Sequence, residues 1–155
     1  LLSSMQAYIN RFDGEYAFLS NFYPCRVYMG DGIDYPSVEH AFQAMKSTDL
    51  RKRAAISALD TPGKAKRAGK KLKLRDDWEI VKIGVMKQAL MSKFRDNKEL
   101  RDKLLETGSA FLIEGNQHGD HYWGVDGFGE NMLGRLLMQL RITMDQGRDN
   151  TEGAA

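Results

Sequence analysis

The residues best equipped for chemistry lie between Phe18 and Lys46, a stretch that opens F-L-S-N-F-Y-P and closes Y-P-S-V-E-H-A-F-Q-A-M-K. It gathers aromatics, amides, a carboxylate, an imidazole and a lysine into one strand-to-helix passage. Glu39, Gln43 and Lys46 fall at i, i+4 and i+7 of the helix expected there, forming a polar stripe on a side away from Val38 and Phe42. Glu39 and Lys46 are two turns apart, about 10 Å along the axis, too far to pair but placed to reach opposite ends of one ligand. On periodicity alone, a solvated helix face is the commoner meaning of such a stripe. Two more polar-aromatic clusters, Tyr122-Trp123-Gly124-Val125-Asp126 and Gly129-Glu130-Asn131, echo the first. The three stretches read as walls of one pocket for a nucleotide-like ligand.

Other motifs carry less. G-K-A-K-R-A-G-K-K (residues 63–71) has five residues between its glycines and no Ser/Thr after the lysine, which excludes an ATP-binding loop. Gly127, Gly129 and Gly134 are misplaced for a dinucleotide fingerprint. Gly129 before a helix opening at Glu130-Asn131 leaves backbone N–H groups able to receive an anion. His118 and His121 flank Asp120, but too few other ligand residues exist for a metal site, and none is assigned. Cys25 reads as a small hydrophobe rather than a nucleophile. Trp78 and Trp123 are packing residues first, and Trp123, in a glycine-rich loop beside Gly124, is the better surface for stacking a base.

These side chains need elements to hold them. Tyr8 to Phe12 and Cys25 to Met29 favour strands, and Gly30-Asp31-Gly32 supplies a tight turn for a hairpin over 26–35. Ser37 caps a helix whose core stripe is Val38, Ala41, Phe42 and Met45. A second helix runs from near Thr48-Asp49 to Leu59, and a third from Pro62 to Ala68, with Gly69 as its C-terminal glycine. Asp76-Asp77 heads a helix to about Phe94 that buries Ile80, Ile83 or Gly84, Met86 or Lys87, and Leu90. Helices over 97–105 and from Glu130 to about Met144 complete the chain, the last burying Leu133, Leu136, Leu137 and Leu140. A short extended run, 111–114, lies between them. The expected fold class is α+β: a mostly helical single domain with a small β-hairpin or sheet.

A chain of 155 residues, 42% hydrophobic and 28% charged, suits one globular domain, and no apolar run is long enough to span a membrane. Leu1 to Ser4 ahead of Met5 read as an expression scar, so the domain is expected over 6–144, with 145–155 a flexible polar tail. One cysteine and no visible leader point to a reducing, cytoplasmic setting. The net charge of +2 hides an asymmetry. Residues 51–75 hold ten Lys/Arg against one acid, Asp60, a net +9, leaving −7 on the other thirteen bases and twenty acids. Such a block attracts phosphates or a nucleic-acid backbone, or is merely a solvated helix face.

In order along the chain, the two motifs of residues 18–46, the R-x-x-W-x-x-x-K-x-x-x-M spacing of Arg75, Trp78, Lys82 and Met86, Lys93-Phe94, Y-W-G (122–124) and G-x-N-x-L-G-x-L-L-M (129–138) resemble the NADAR, or YbiA-like, family. The resemblance runs from about Tyr8 to Thr143. It implies a cofactor-free N-glycosidase that cleaves between a phosphorylated ribose and an amine nitrogen. The implied substrates are ribosylamino-pyrimidine phosphates of riboflavin synthesis, or ADP-ribose on the exocyclic amine of guanine. In that setting Lys46 is the expected Schiff-base nucleophile, Glu39 the acid/base and Asp126 a second carboxylate. Asn21 and Asn131 are expected on ribose or base, Phe22, Trp78, Trp123 and Gly124 as walls, and Arg11 or Arg75 near phosphate. Expected partners are a phosphoribosyl or ADP-ribosyl small molecule, and ADP-ribosylated DNA or RNA. The alternatives are a non-catalytic module that binds ADP-ribose or nucleotides, and a nucleic-acid binder driven by the basic block.

Overall fold

The computed structural model describes residues 7–154, with side chains through residue 147; the proposed scar over 1–5 lies outside the described residues. The backbone divides into two compact units, one formed by residues 21–97 and the other by residues 7–20 together with 98–154.

The 21–97 unit opens with the expected hairpin. Strands β2 (Val27–Tyr28) and β3 (Asp34–Tyr35) pair antiparallel. Gly30 and Gly32 both take positive φ, the conformation that makes the tight reversal possible. The turn is tied inward by Asp31, which accepts from the Tyr35 hydroxyl at 2.7 Å and pairs with Arg53 at 3.4 Å, with both charged side chains largely buried. Arg53 Nε also donates to the Ser47 carbonyl at 2.7 Å, so this member of the basic block is structural.

Four helices follow: α1 (Val38–Ala44), α2 (Leu50–Ser57), α3 (Pro62–Lys70) and α4 (Trp78–Asp96). Ser37, Asp49 and Thr61 cap the first three, each side-chain oxygen accepting a free backbone N–H of the opening turn. The α1 cap is doubled. His40 Nε2 lies 2.9 Å from the Leu59 carbonyl, which only accepts, so Nε2 bears the proton and Nδ1 accepts from the Ser37 hydroxyl at 2.7 Å. Burial holds this imidazole neutral by lowering its pKa.

Two expectations fail here. Gly69 does not end α3 but lies buried inside it, because a Cβ at that position would overlap Gln43 Oε1 and sit 2.9 Å from Gln43 Cβ. On α4, Ile80 is 85% exposed and Ile83 and Gly84 face solvent. The buried stripe is Trp78, Val85, Met86, Ala89, Leu90 and Phe94. That helix is apolar around much of its circumference, so packing of Trp78 on Phe42 chose the face, not periodicity.

Lys93 is fully buried, its amine 5.1 Å from the Phe94 ring centre and 5.7 Å from that of Tyr23. Burial lowers its pKa to about 8, with the nearby Cys25 opposing.

In the second unit, β1 (Tyr8–Ile9) pairs parallel with β4 (Phe111–Leu112). A 3₁₀ helix over Gly14–Leu19, unforeseen from the sequence, buries Phe18 and Leu19. Helix α5 (Lys98–Glu106) contributes Leu100 and Leu104, and α6 (Met132–Ala154) buries Leu133, Leu136, Leu137 and Leu140 as expected. Helix α6 begins two residues later than expected and continues to Ala154, through the segment read as a flexible tail. No proline interrupts it, and isolated glycines at about 1 kcal/mol each do not stop a helix already nucleated by packing. No helix among the described residues is long and apolar enough to cross a membrane. The fold is α+β and mostly helical, with two small sheets of two strands each among the described residues.

Candidate active site

The α1 stripe is not a solvated face. Glu39 is 7% exposed and Gln43 6%, because α3 packs over the side of α1 that carries them. Gly69 permits that approach by offering no side chain where Gln43 lies. Gln43 Nε2 donates to Glu39 Oε1 at 2.8 Å, which orients the carboxylate, while Gln43 Oε1 is buried with no partner among the described residues. A buried orphan acceptor costs about 1–3 kcal/mol, so its persistence points to a site completed by something else.

Lys46 follows the end of α1, half-buried, its Nζ 5.8 Å from the Phe42 ring centre and 6.0 Å from that of Trp78. Those two rings stand edge to face at 5.1 Å and form an apolar wall. Desolvation there lowers the Lys46 pKa; Glu39 works against this, while Lys70 and Lys66 add to it. A lysine so placed is neutral at lower pH than an ordinary surface lysine, the requirement for an amine nucleophile.

Asn21 joins this group. Its carbonyl accepts the Glu39 backbone N–H at 3.0 Å, its Nδ2 contacts Met86 Sδ at 3.6 Å, and its Oδ1 is buried without a partner among the described residues. Phe22 beside it is exposed. Arg75 is tied down: its fork grips Asp77 at 2.6 and 3.2 Å, and its backbone N–H donates to the Lys46 carbonyl at 2.8 Å. This anchors the Lys46 backbone but leaves the guanidinium engaged by a carboxylate.

The remaining candidates belong to the second unit. Arg11 is exposed and paired with Asp13 at 3.0 Å. Asn131 takes φ 52°, and its amide is used on both sides, Oδ1 accepting from the Glu114 N–H at 3.0 Å and Nδ2 donating to the Leu112 carbonyl at 2.9 Å. Trp123 packs edge to face on Tyr122 at 4.9 Å. Asp120 Oδ1 accepts the backbone N–H groups of both residues. Gly124 is buried where a Cβ would overlap Glu114 and Asn116, so its close approach is to the protein itself. Asp126 Oδ2 accepts from the Gly119 N–H at 2.9 Å, closing the loop. His121, stacked on Phe128 at 4.2 Å, donates through Nδ1 to the Phe128 carbonyl. No group of three or more His, Cys, Asp or Glu suited to a metal ion occurs among the described residues.

Of the residues nominated from the sequence, Asn21, Phe22, Glu39, Lys46, Arg75 and Trp78 fall in the 21–97 unit and the others in the second. Sequence reasoning missed Gln43 as the orienter of Glu39, and Lys66 and Lys70 as charges felt at Lys46. The signal for the last two was present in their i, i+4 spacing within the basic block.

Comparison with known proteins bears on this arrangement. The NADAR domain model matches residues 7–145, a span that includes both units. N-glycosidase YbiA of Escherichia coli K12 is 43% identical over 133 residues, covering 82% of this chain and 81% of that protein. A riboflavin biosynthesis protein of Vibrio vulnificus is 36% identical over 138 residues, 86% of this chain but 37% of that longer protein. The NMR structure of E. coli YbiA superimposes with a TM-score of 0.81 at 39% identity, covering 93% of this chain and 89% of the other. With a family model matched over nearly all the described residues, and a relative of that identity and coverage sharing the fold, the chain belongs to the NADAR family.

Proposed function

We propose that the protein is an N-glycosidase that hydrolyses the bond between C1 of a phosphorylated ribose and an amine nitrogen, through a Schiff base on Lys46. The observation that carries the reading is the Lys46 amine, half-buried against Phe42 and Trp78 and within the field of the buried Glu39 carboxylate. The names of the E. coli and Vibrio relatives, N-glycosidase and riboflavin biosynthesis protein, support the reaction class.

The chemistry follows from the bond. The nitrogen lone pair opens the sugar ring, breaking C1–O4 as Glu39 protonates O4, and leaves an imine at C1. Neutral Lys46 adds to C1, Glu39 takes a proton from the resulting ammonium and passes it to the original amine, and that amine departs as C1 forms an imine with Lys46. Water then adds to the lysine imine, releasing the aldehyde sugar and the free amine of Lys46. The net change is one water consumed and one amine and one ribose released, with no redox step and no cofactor.

The substrate classes are a ribosylamino-pyrimidine phosphate and ADP-ribose on the exocyclic amine of guanine in nucleic acid. Offering both side by side and measuring released sugar tests the activity and chooses between them. Borohydride added during turnover tests the route. A covalent adduct present in the wild type and absent from Lys46→Ala supports the Schiff base. Turnover without an adduct, with Lys46→Ala still active, transfers the reaction to a closed-ring route in which Glu39 activates water. Binding of ADP-ribose with no turnover of either substrate leaves a non-catalytic module.

A further inference from the structure

The basic block is not uniform in its use. Arg53, Lys64 and Arg75 each hold a carboxylate, Asp31, Asp60 and Asp77 respectively. The other seven have no acidic partner among the described residues, and of these Lys66 and Lys70 are the two placed toward α1. They stand one turn apart on α3, each one position after a buried residue, Ala65 and Gly69, at the rim of the contact with α1. Lys66 is half-buried there, and both amines bear electrostatically on Lys46. Lys66, half-buried, and Lys70, exposed, both oppose the charged form of Lys46, and the Glu39 carboxylate favours it, so positive charge outweighs negative along this edge of α3. A surplus of cations around a reactive amine fits a ligand that arrives carrying negative charge.

We infer that Lys66 and Lys70 hold the 5-phosphate of the sugar whose C1 reaches Lys46, an assignment that rests on the glycosidase reading above. Lysine suits this as a pair of flexible point charges that follow the phosphate as the sugar ring opens, where a rigid guanidinium fork would fix one geometry. The Arg75 guanidinium already grips Asp77 and is not needed for the role. The shared ligand chemistry is a 5-phosphorylated ribose, which occurs both as a monoester and within a pyrophosphate.

The test is equilibrium binding by calorimetry, with no turnover required. Ribose 5-phosphate, ADP-ribose and ribose are titrated into the wild type, Lys66→Gln/Lys70→Gln and Lys66→Arg/Lys70→Arg. The expected result is a loss of roughly tenfold or more in affinity for at least one phosphorylated ligand in the glutamine variant, with ribose unchanged and the arginine variant largely retained. The ligand that loses more identifies a monoester or a pyrophosphate as the group held. Phosphorylated ligands that bind the wild type no tighter than ribose overturn the assignment, as does a loss of about threefold or less on both in the glutamine variant. Because turnover and borohydride trapping judge Lys46 separately, failure of the phosphate contact and failure of the glycosidase reading are told apart.

Discussion

The α1–α3 contact and the loop over 115–131 have similar ingredients: amides, a carboxylate, aromatics and close-packed glycines. Their hydrogen-bond accounting differs. In the loop, Asn131, Asp120 and Asp126 each satisfy backbone N–H groups of the same unit, and the Asn131 amide has both of its ends engaged. At α1–α3, Gln43 Oε1 is buried without a hydrogen-bond partner, as is Asn21 Oδ1 beside α1 and α4, and Lys66 and Lys70 lack counter-ions among the described residues. Side chains that each hold backbone N–H groups of their own unit fix a shape. A helix pair left with unmatched polar groups is arranged for something that comes and goes.

The most damaging test of that contrast is on turnover. Lys46→Ala is expected to lower kcat by roughly four orders of magnitude, and Glu39→Gln by about 10²–10⁴. Either variant retaining most of its activity would remove the chemistry from α1. Because the Lys46 pKa is depressed, the acid limb of the kcat profile should lie below the ordinary lysine range, and Lys70→Gln, by removing a like charge, should shift it to higher pH.

A buried charge outside α1 sharpens the contrast on stability. Lys93, lowered to about 8, binds fewer protons folded than unfolded between that value and its unfolded one, so stability contributed there rises with pH. Its penalty, at most about 3 kcal/mol, is full below pH ~8 and fades toward pH ~10.5. Urea denaturation should therefore show the wild type gaining stability relative to Lys93→Met across that window. A constant difference would refute the assignment of the buried charge.

Gly69→Ala is expected to cost about 1–3 kcal/mol, because Gln43 must move or the helices separate. The Tm should fall by roughly 2–4 °C for each kcal/mol, and activity should fall with it as Glu39 loses its orienting amide. Asn131→Ala should cost about 1–2 kcal/mol through two lost backbone hydrogen bonds, while KM stays near the wild-type value. A large KM effect from Asn131→Ala with no change in Tm would place the loop among ligand-binding elements and erase the distinction.

What was legible in the sequence was local. Caps at Ser37 and Thr61, the glycine-turned hairpin and the leucine stripe of α6 follow from short-range rules, and all are present. What was not legible depended on partners distant in the chain. Nothing in α1 alone says that α3 will cover Glu39 and Gln43, which turns a stripe that reads as wet into a buried one. Likewise Gly69 looks like a stop signal until Gln43 is placed against it, and the face of α4 is decided by where Phe42 meets Trp78. Asn131 resembles a ligand contact because its type and motif say so, yet its positive φ and two backbone bonds appear only in three dimensions.

The tight seating of Gln43 on Gly69 carries a warning for large-scale mutagenesis. A residue with no functional group would score there as intolerant, in the company of Lys46 and Glu39, and a map drawn from such scores would nominate it for catalysis. Its sensitivity would instead report the gap between two backbones, and purified protein, assayed per folded molecule, would separate the one cause from the other.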